Sequence, residues 1–200
     1  MDQAPHRNQE SLHIFLIRHS KPLVARGGLF DHLRATRFIS EYDAAAVEAL
    51  VSKPPGLPYE EIQQVHCSAL PRARFTAQAI FGPAVPLVEE ALFNECERKI
   101  LALPLLRFPL QVWLTGARLL WLLGLNSRGI ENYRQARKRA RQGADVLAAY
   151  AQVEKKTVLV AHGLLNLFLR RYLKKRGWRV VRQEGHGYLA VTELVKPADA

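Results

Sequence analysis

Cysteine is nearly absent. Two residues among 200, Cys67 and Cys96, build no disulfide framework and imply no redox mechanism; their ordinary reading is as buried thiols. Acidic side chains are also scarce, 18 against 29 Lys and Arg, for a formal net charge of +11. The histidines His13, His32, His66 and His186 lack any zinc-ligand spacing, so neither a metal nor another cofactor is expected. Residues 1–11 are polar, without the apolar core of a secretory leader, and the run from Leu12 stops at Arg18. A cytoplasmic location is the expectation. Only residues 100–125 approach the length of a membrane span, but Arg107 and Arg118 lie inside that stretch and Pro104 and Pro109 break it. No transmembrane segment is expected. Internal repeats and low-complexity tracts are missing too.

What remains is a chain of 48% hydrophobic residues, enough to bury a good core in a single domain spanning residues 1–200. Apolar runs alternate with helical patterns, which argues for an α/β fold. The run Leu12-His13-Ile14-Phe15-Leu16-Ile17 exits into Arg18-His19-Ser20, and Thr157-Val158-Leu159-Val160-Ala161 exits into His162-Gly163. Both read as buried strands. A third, residues 62–68, leads into a helix that carries Arg72 in its first turn. Ligands of open α/β sheets bind beyond the carboxyl ends of the strands. A helix start offers free N–H groups and partial positive charge, to which a guanidinium adds bidentate bonding to phosphate-like oxygens. Taken singly, each residue reads as structural or solvated; the ordered set of three strand ends points to one anionic ligand. Elsewhere, residues 27–28 mark a loop, residues 43–51 read as a short helix, residues 53–58 as a turn-rich connector and residues 84–88 as a strand.

That ordered set, Arg18-His19 first, Ser68-x-x-x-Arg72-Ala73-x-x-Thr76-Ala77 second and Ala161-His162-Gly163 last, resembles the histidine phosphatase superfamily, also called phosphoglycerate-mutase-like. The resemblance runs from about Leu12 to Thr192. It implies a three-layer α/β/α sandwich with a mostly parallel central sheet and a helical lid insertion. It also implies metal-independent phosphoryl transfer, with His19 as nucleophile forming a phosphohistidine and Arg18, Arg72 and His162 as the phosphate pocket. The residue types suit this chemistry. Imidazole is available in its neutral form at pH 7, and adjacent guanidiniums disfavour the imidazolium while holding phosphoryl oxygens.

A carboxyl group is needed to protonate the leaving oxygen and then to activate water. The resemblance places it after the strand expected over residues 84–88, where the candidates are Glu89, Glu90, Glu95 and Glu97; Glu95, in Leu92-Phe93-Asn94-Glu95-Cys96, is favoured. Two positions depart from the usual pattern. Ser20 stands where the superfamily commonly has Gly, a change costing roughly 1 kcal/mol if the turn needs a positive φ. Ala25 stands where many members carry Asn, so one phosphate contact is either lost or supplied by Lys21 or Asn166. Lys21 and His186 are further possible substrate contacts, His186 at the opening of a last strand.

Residues 100–125 read as a loop followed by an amphipathic helix over about 110–123. Residues 96–130 are accordingly expected to form a lid or cap over the site, with a dimer face, a peripheral membrane contact and plain core packing as the other readings. A basic helix over about 130–150 and a cluster from Arg170 to Arg182 should draw anions toward the protein. Basic helices also serve nucleic acid and anionic lipid, but no nucleic-acid motif accompanies these charges and no nucleic acid is expected as partner. The expected partner is a small phosphorylated substrate or a phosphoprotein. The expected activity is phosphomonoester hydrolysis of the histidine-acid-phosphatase kind. A phosphoglycerate-type mutase shares its first half-reaction, and a non-catalytic phosphoester-binding protein would keep the same pocket.

Overall fold

The structure, a computed structural model, describes residues 11–50 and 52–198. The elements in chain order are β1 (Ser11–Arg18), β2 (Leu29–Phe30), α1 (His32–Ala44), β3 (Val65–Ser68), α2 (Pro71–Phe81), β4 (Leu87–Glu90), β5 (Phe108–Pro109), α3 (Leu110–Leu122), α4 (Tyr133–Glu154), β6 (Lys156–Ala161), α5 (Gly163–Lys174), β7 (Arg179–Glu184) and β8 (Val191–Pro197). Six strands form one sheet in the order β4-β3-β6-β1-β8-β7. The first four run parallel, and β8 and β7 complete the sheet antiparallel to their neighbours. The fold is thus α/β with a mostly parallel sheet, as expected.

Side-chain alternation along β1 divides the core in two. Leu12, Ile14 and Leu16 join Leu159, α4 and α5 on one face. Phe15 and Ile17 join Val158, Val160 and α2 on the other. Both β1 and β6 are buried on both faces, which is why their sequences are nearly continuous apolar runs. A third, smaller apolar cluster joins β2, α1 and α3 through Phe30, Phe38, Leu110 and Trp113. The Trp113 indole also donates to the Phe30 carbonyl at 2.7 Å.

Several boundaries differ from the sequence reading. Residues 43–50 do not form a helix of their own: α1 starts earlier, where the Asp31 carboxylate accepts the Arg34 N–H, and ends at Ala44. The chain after it runs back beside β1's exit, with Glu48 N–H donated to the Lys21 carbonyl and a bridge between Pro22 and Val47. β3 begins at Val65 rather than at residue 62, and β4 spans Leu87–Glu90, past Pro86, whose carbonyl accepts the Val65 N–H. α4 starts at Tyr133, where Asn132 and Gln135 form a reciprocal capping box. His186 does not open a strand; it lies in the turn between β7 and β8. The helix expected over about 110–123 is present as α3. Of the polar residues 1–11 only Ser11 is among the described residues, and Val51 is outside them too.

Candidate active site

Three adjacent parallel strands, β3, β6 and β1, end side by side. Arg18 pairs with Ala161 in register, and the His19 N–H continues the ladder to the Ala161 carbonyl at 3.0 Å. His19 and His162, 143 positions apart in the numbering, therefore leave neighbouring strand ends together, with ring centroids 5.1 Å apart. Ser68, the last residue of β3, lies 2.8 Å from His162 Nε2 and donates to Asn94 Oδ1. With the hydroxyl proton committed to Asn94, His162 Nε2–H is the donor of the first bond. Arg72 enters from the first turn of α2, preceded by Pro71 at the helix start.

The His19 tautomer follows from one contact. Nδ1 is 2.7 Å from the Ser20 carbonyl oxygen, which can only accept. Nδ1 therefore holds the proton and Nε2 carries the lone pair. Burial pushes the His19 pKa down to about 3, with Arg72, Arg18 and Arg26 pressing in the same direction and the Ser20 hydrogen bond opposing them. His162 is likewise held well below the ordinary imidazole value, by burial and then by Arg72, His19 and Arg18. Both rings are neutral at pH 7. Three polar atoms of the cluster, Arg18 Nε, Arg72 Nε and His162 Nδ1, are buried without hydrogen-bond partners. The two unmet guanidinium donors carry a desolvation cost that an anionic ligand can relieve, whereas His162 Nδ1, left with its lone pair by the Nε2–H tautomer, is an acceptor.

Ser20 is unstrained: it is not among the residues with positive φ. Its N–H is donated to Thr76 Oγ1 at 2.9 Å and its hydroxyl to the Glu48 carbonyl at 3.2 Å. The turn does not require glycine, so the cost attached to the Gly-to-Ser change does not arise.

A cavity of about 890 Å³ adjoins the cluster, lined among others by Arg18, Arg26, Tyr42, Asp43, Glu95, Arg118 and Tyr188. His19 itself is covered by the rings of Tyr42 and Tyr188, at 6.2 and 5.6 Å between centroids. Tyr188 also lies beneath the Arg18 guanidinium at 4.5 Å and accepts a hydrogen bond from Arg26 at 2.6 Å. Asp43 Oδ1 accepts from Arg72 Nη1 at 2.7 Å. This internal carboxylate thus sits on one of the guanidiniums of the cluster.

Among the candidate carboxyl groups, Glu95 and Glu97 line the cavity; Glu89 and Glu90 do not. Glu89 faces Arg74 at 3.8 Å, and Glu90 accepts from the Tyr150 hydroxyl. The Glu95 oxygens accept from the backbone N–H groups of Cys96, Leu164 and Leu165, at 3.0, 3.3 and 3.2 Å. Glu95 therefore caps the start of α5, the helix that His162 leads into, and Gly163 leaves room there for Arg18: a Cβ on Gly163 would come within 3.3 Å of Arg18 Nε. Lys21 is drawn away to Glu48 at 2.6 Å and does not line the cavity, whereas His186 does. Asn166 donates to the Ile17 carbonyl at 3.2 Å.

Sequence reasoning missed Arg26, Tyr42, Asp43, Tyr188, Asn94 and Ser68 as members of the site. Arg26, from the loop between β1 and β2, and Tyr42, from α1, both reach Tyr188 in the β7–β8 turn, while Asp43 reaches Arg72 of α2. Burial pushes both cysteine thiols up to about 12, which leaves them inert as nucleophiles. Among the described residues no cluster of three or more His, Cys, Asp or Glu side chains could hold a metal ion. No helix among them is long and apolar enough to cross a membrane.

No curated protein matches the chain. Among solved structures it resembles a phosphoglycerate mutase from Bacillus anthracis str. Sterne, at 14% identity, covering 96% of this chain and 90% of that one with a TM-score of 0.54. A phosphoserine phosphatase from Entamoeba histolytica, solved with 3-phosphoglyceric acid, matches at 17% identity over 90% of this chain and 89% of the other, TM-score 0.52. A mycobacterial glucosyl-3-phosphoglycerate phosphatase matches at 19% identity over 92% and 90% of the two chains, TM-score 0.52. At these identities the likeness concerns the fold, and the proteins that share it are phosphatases and a mutase. The sequence profile described as Histidine phosphatase superfamily (branch 1) matches residues 14–198, and with nearly the whole chain inside that match, the protein belongs to this superfamily.

Proposed function

We propose that the protein hydrolyses phosphomonoesters through a phosphohistidine on His19. The observation that carries this reading is the His19 Nδ1–H bond to the Ser20 carbonyl, which leaves Nε2 with its lone pair beside two guanidiniums. Nε2 attacks phosphorus as the bond to the leaving oxygen breaks, and that oxygen takes a proton from Glu95. The phosphorylated ring keeps Nδ1–H on Ser20, where the carbonyl dipole stabilises its positive charge. Glu95 then removes a proton from water as the hydroxyl attacks phosphorus, the P–N bond breaks and neutral His19 returns. Arg18 and Arg72 hold the phosphoryl oxygens and stabilise charge in the transition state. The arriving dianion also offsets the field that keeps His162 neutral, so His162 takes a proton from solvent on Nδ1, and that nitrogen, until then an acceptor, becomes its second donor. Before any of this, Asp43 must release Arg72, and Tyr42 and Tyr188 must uncover His19. Residues 96–130, whose helix α3 lines the cavity through Leu114, Thr115 and Arg118, act as the cap that selects the ester.

A metal-free assay with an aryl phosphate tests this in wild type, His19→Ala and Glu95→Gln. Turnover that vanishes in His19→Ala, with a trapped phosphoenzyme in Glu95→Gln, is the expected result. A fully active His19→Ala would overturn it. Isomerisation of a phosphoglycerate in place of phosphate release would assign a mutase. Phosphate binding without turnover or phosphoenzyme, across a panel of natural esters, would assign a binding protein.

A further inference from the structure

Among the described residues, eight of the fourteen large apolar side chains that are exposed fall between positions 101 and 125. Leu105 is 100% exposed, Leu123 71% and Leu125 72%. Along α3, Trp113, Ala117 and Trp121 face the interior, while Val112, Leu119 and Leu123 form a stripe on the opposite side, at the i, i+7, i+11 spacing of one helix face. Leu105 is held at φ 71°, a region that side chains disfavour, with no packing to offset the strain. Leu29, also exposed, pairs with Pro109 across the β2–β5 ribbon and adds to the same region. Apolar surface concentrated in this way marks a contact site.

The charge of this segment identifies the partner. Between Arg98 and Ile130 there is no Asp or Glu, while Lys99, Arg107 and Arg128 stand exposed beside the leucines. A second copy would bring the same basic residues face to face in a two-fold interface, and like charges there oppose association. A surface that is both apolar in its interior and anionic at its head groups complements the segment. We infer that α3 and its flanking turns dock on an anionic lipid bilayer, lying in the interface with the leucines inserted and the basic side chains among the head groups. Leu119 lines the cavity and is also 56% exposed, so the docked membrane lies along the cavity rim.

Co-sedimentation tests this with vesicles of phosphatidylcholine alone and of phosphatidylcholine mixed with phosphatidylglycerol, at low and high salt. The protein is expected to sediment with the anionic vesicles only, and less at high salt. The double variant Leu105→Glu, Leu123→Glu should lose about tenfold or more in vesicle affinity. Both positions are solvent-exposed, so its thermal melting should be unchanged. Val153→Glu, on an exposed site of α4, adds a negative charge away from the patch and should lose at most about fivefold. No sedimentation with anionic vesicles would overturn the inference. Retention of binding in the double variant would overturn it as well, by assigning the interaction to the basic helices. A doubling of mass without vesicles, abolished by Leu123→Glu, would give the face to a second copy instead. None of these readouts depends on phosphatase activity.

Discussion

His19 is kept uncharged by the fold, and that has a measurable consequence. Its pKa is held at about 3 in the folded protein against 6.5 for the free side chain. Between these values the unfolded chain binds more protons than the native one, so stability rises with pH through this window. The contribution is complete above about pH 6.5 and is lost as the pH falls toward 3, on the order of a few kcal/mol. Denaturant unfolding of wild type and His19→Asn at pH 4 and pH 7 should show the gap between the two pH values narrowing in the variant. An unchanged gap would mean that His19 is not protected from protonation. Asp43 makes a second residue-level case. Its carboxylate competes with phosphate for Arg72, so Asp43→Asn should bind inorganic phosphate roughly three- to tenfold more tightly, a modest gain because the pair is partly solvated. Calorimetry reads this directly; weaker binding in the variant would instead make Asp43 the group that holds Arg72 in place. The positions of Arg18, His19, Arg72 and His162 at element ends were legible because each follows a short apolar run or opens a helix. Tyr42, Asp43 and Tyr188 were not, because nothing local to them signals a contact with His19 or, for Asp43, with Arg72.

At the scale of elements, α3 is fixed from its inner side. Trp121 is fully buried, its indole N–H is donated to the Glu131 carbonyl at 2.7 Å, and the Tyr133 ring packs edge-on at 5.5 Å. Trp121→Ala should cost roughly 3–5 kcal/mol in denaturant unfolding. Since α3 also forms part of the cavity wall, the aryl phosphate assay should show a raised KM at temperatures where the variant stays folded. A cost below about 1 kcal/mol would mean that α3 is held by its other contacts. The start of α5 is equally constrained: Gly163→Ala should push the Arg18 guanidinium aside and raise KM several-fold with little change in melting temperature. The long helices were readable because their apolar periodicity is sustained. β7 was hidden for the opposite reason. Only one side of it packs, Arg179 and Arg182 punctuate it, and at the sheet edge a charged strand reads as a basic surface cluster. The boundaries of α1 were missed because the segment after it forms backbone bonds to Lys21 and Leu23, a partnership that no local pattern announces.

The molecule as a whole carries a formal charge of +11, enough to steer anions from a distance. The value of kcat/KM for a phosphomonoester should therefore fall as ionic strength rises, while kcat changes little. A flat profile would mean that capture is governed inside the cavity by Arg18 and Arg72 alone. Fold class was open to a sequence reading because the parallel strands are short apolar runs separated by helices. Which of those strands lie side by side is decided by pairings between distant parts of the chain.

The central position of β1 sets the order in which this protein can be made. Its partners β6 and β8 join it on either side, yet the first of them is translated roughly 140 residues later, a delay of about 7–28 s at ordinary synthesis rates. During that interval Ile14-Phe15-Leu16-Ile17 has no sheet to enter, and a bare apolar strand is a template for aggregation. The nascent chain is therefore expected to lean on ribosome-associated chaperones until β6 and β8 emerge.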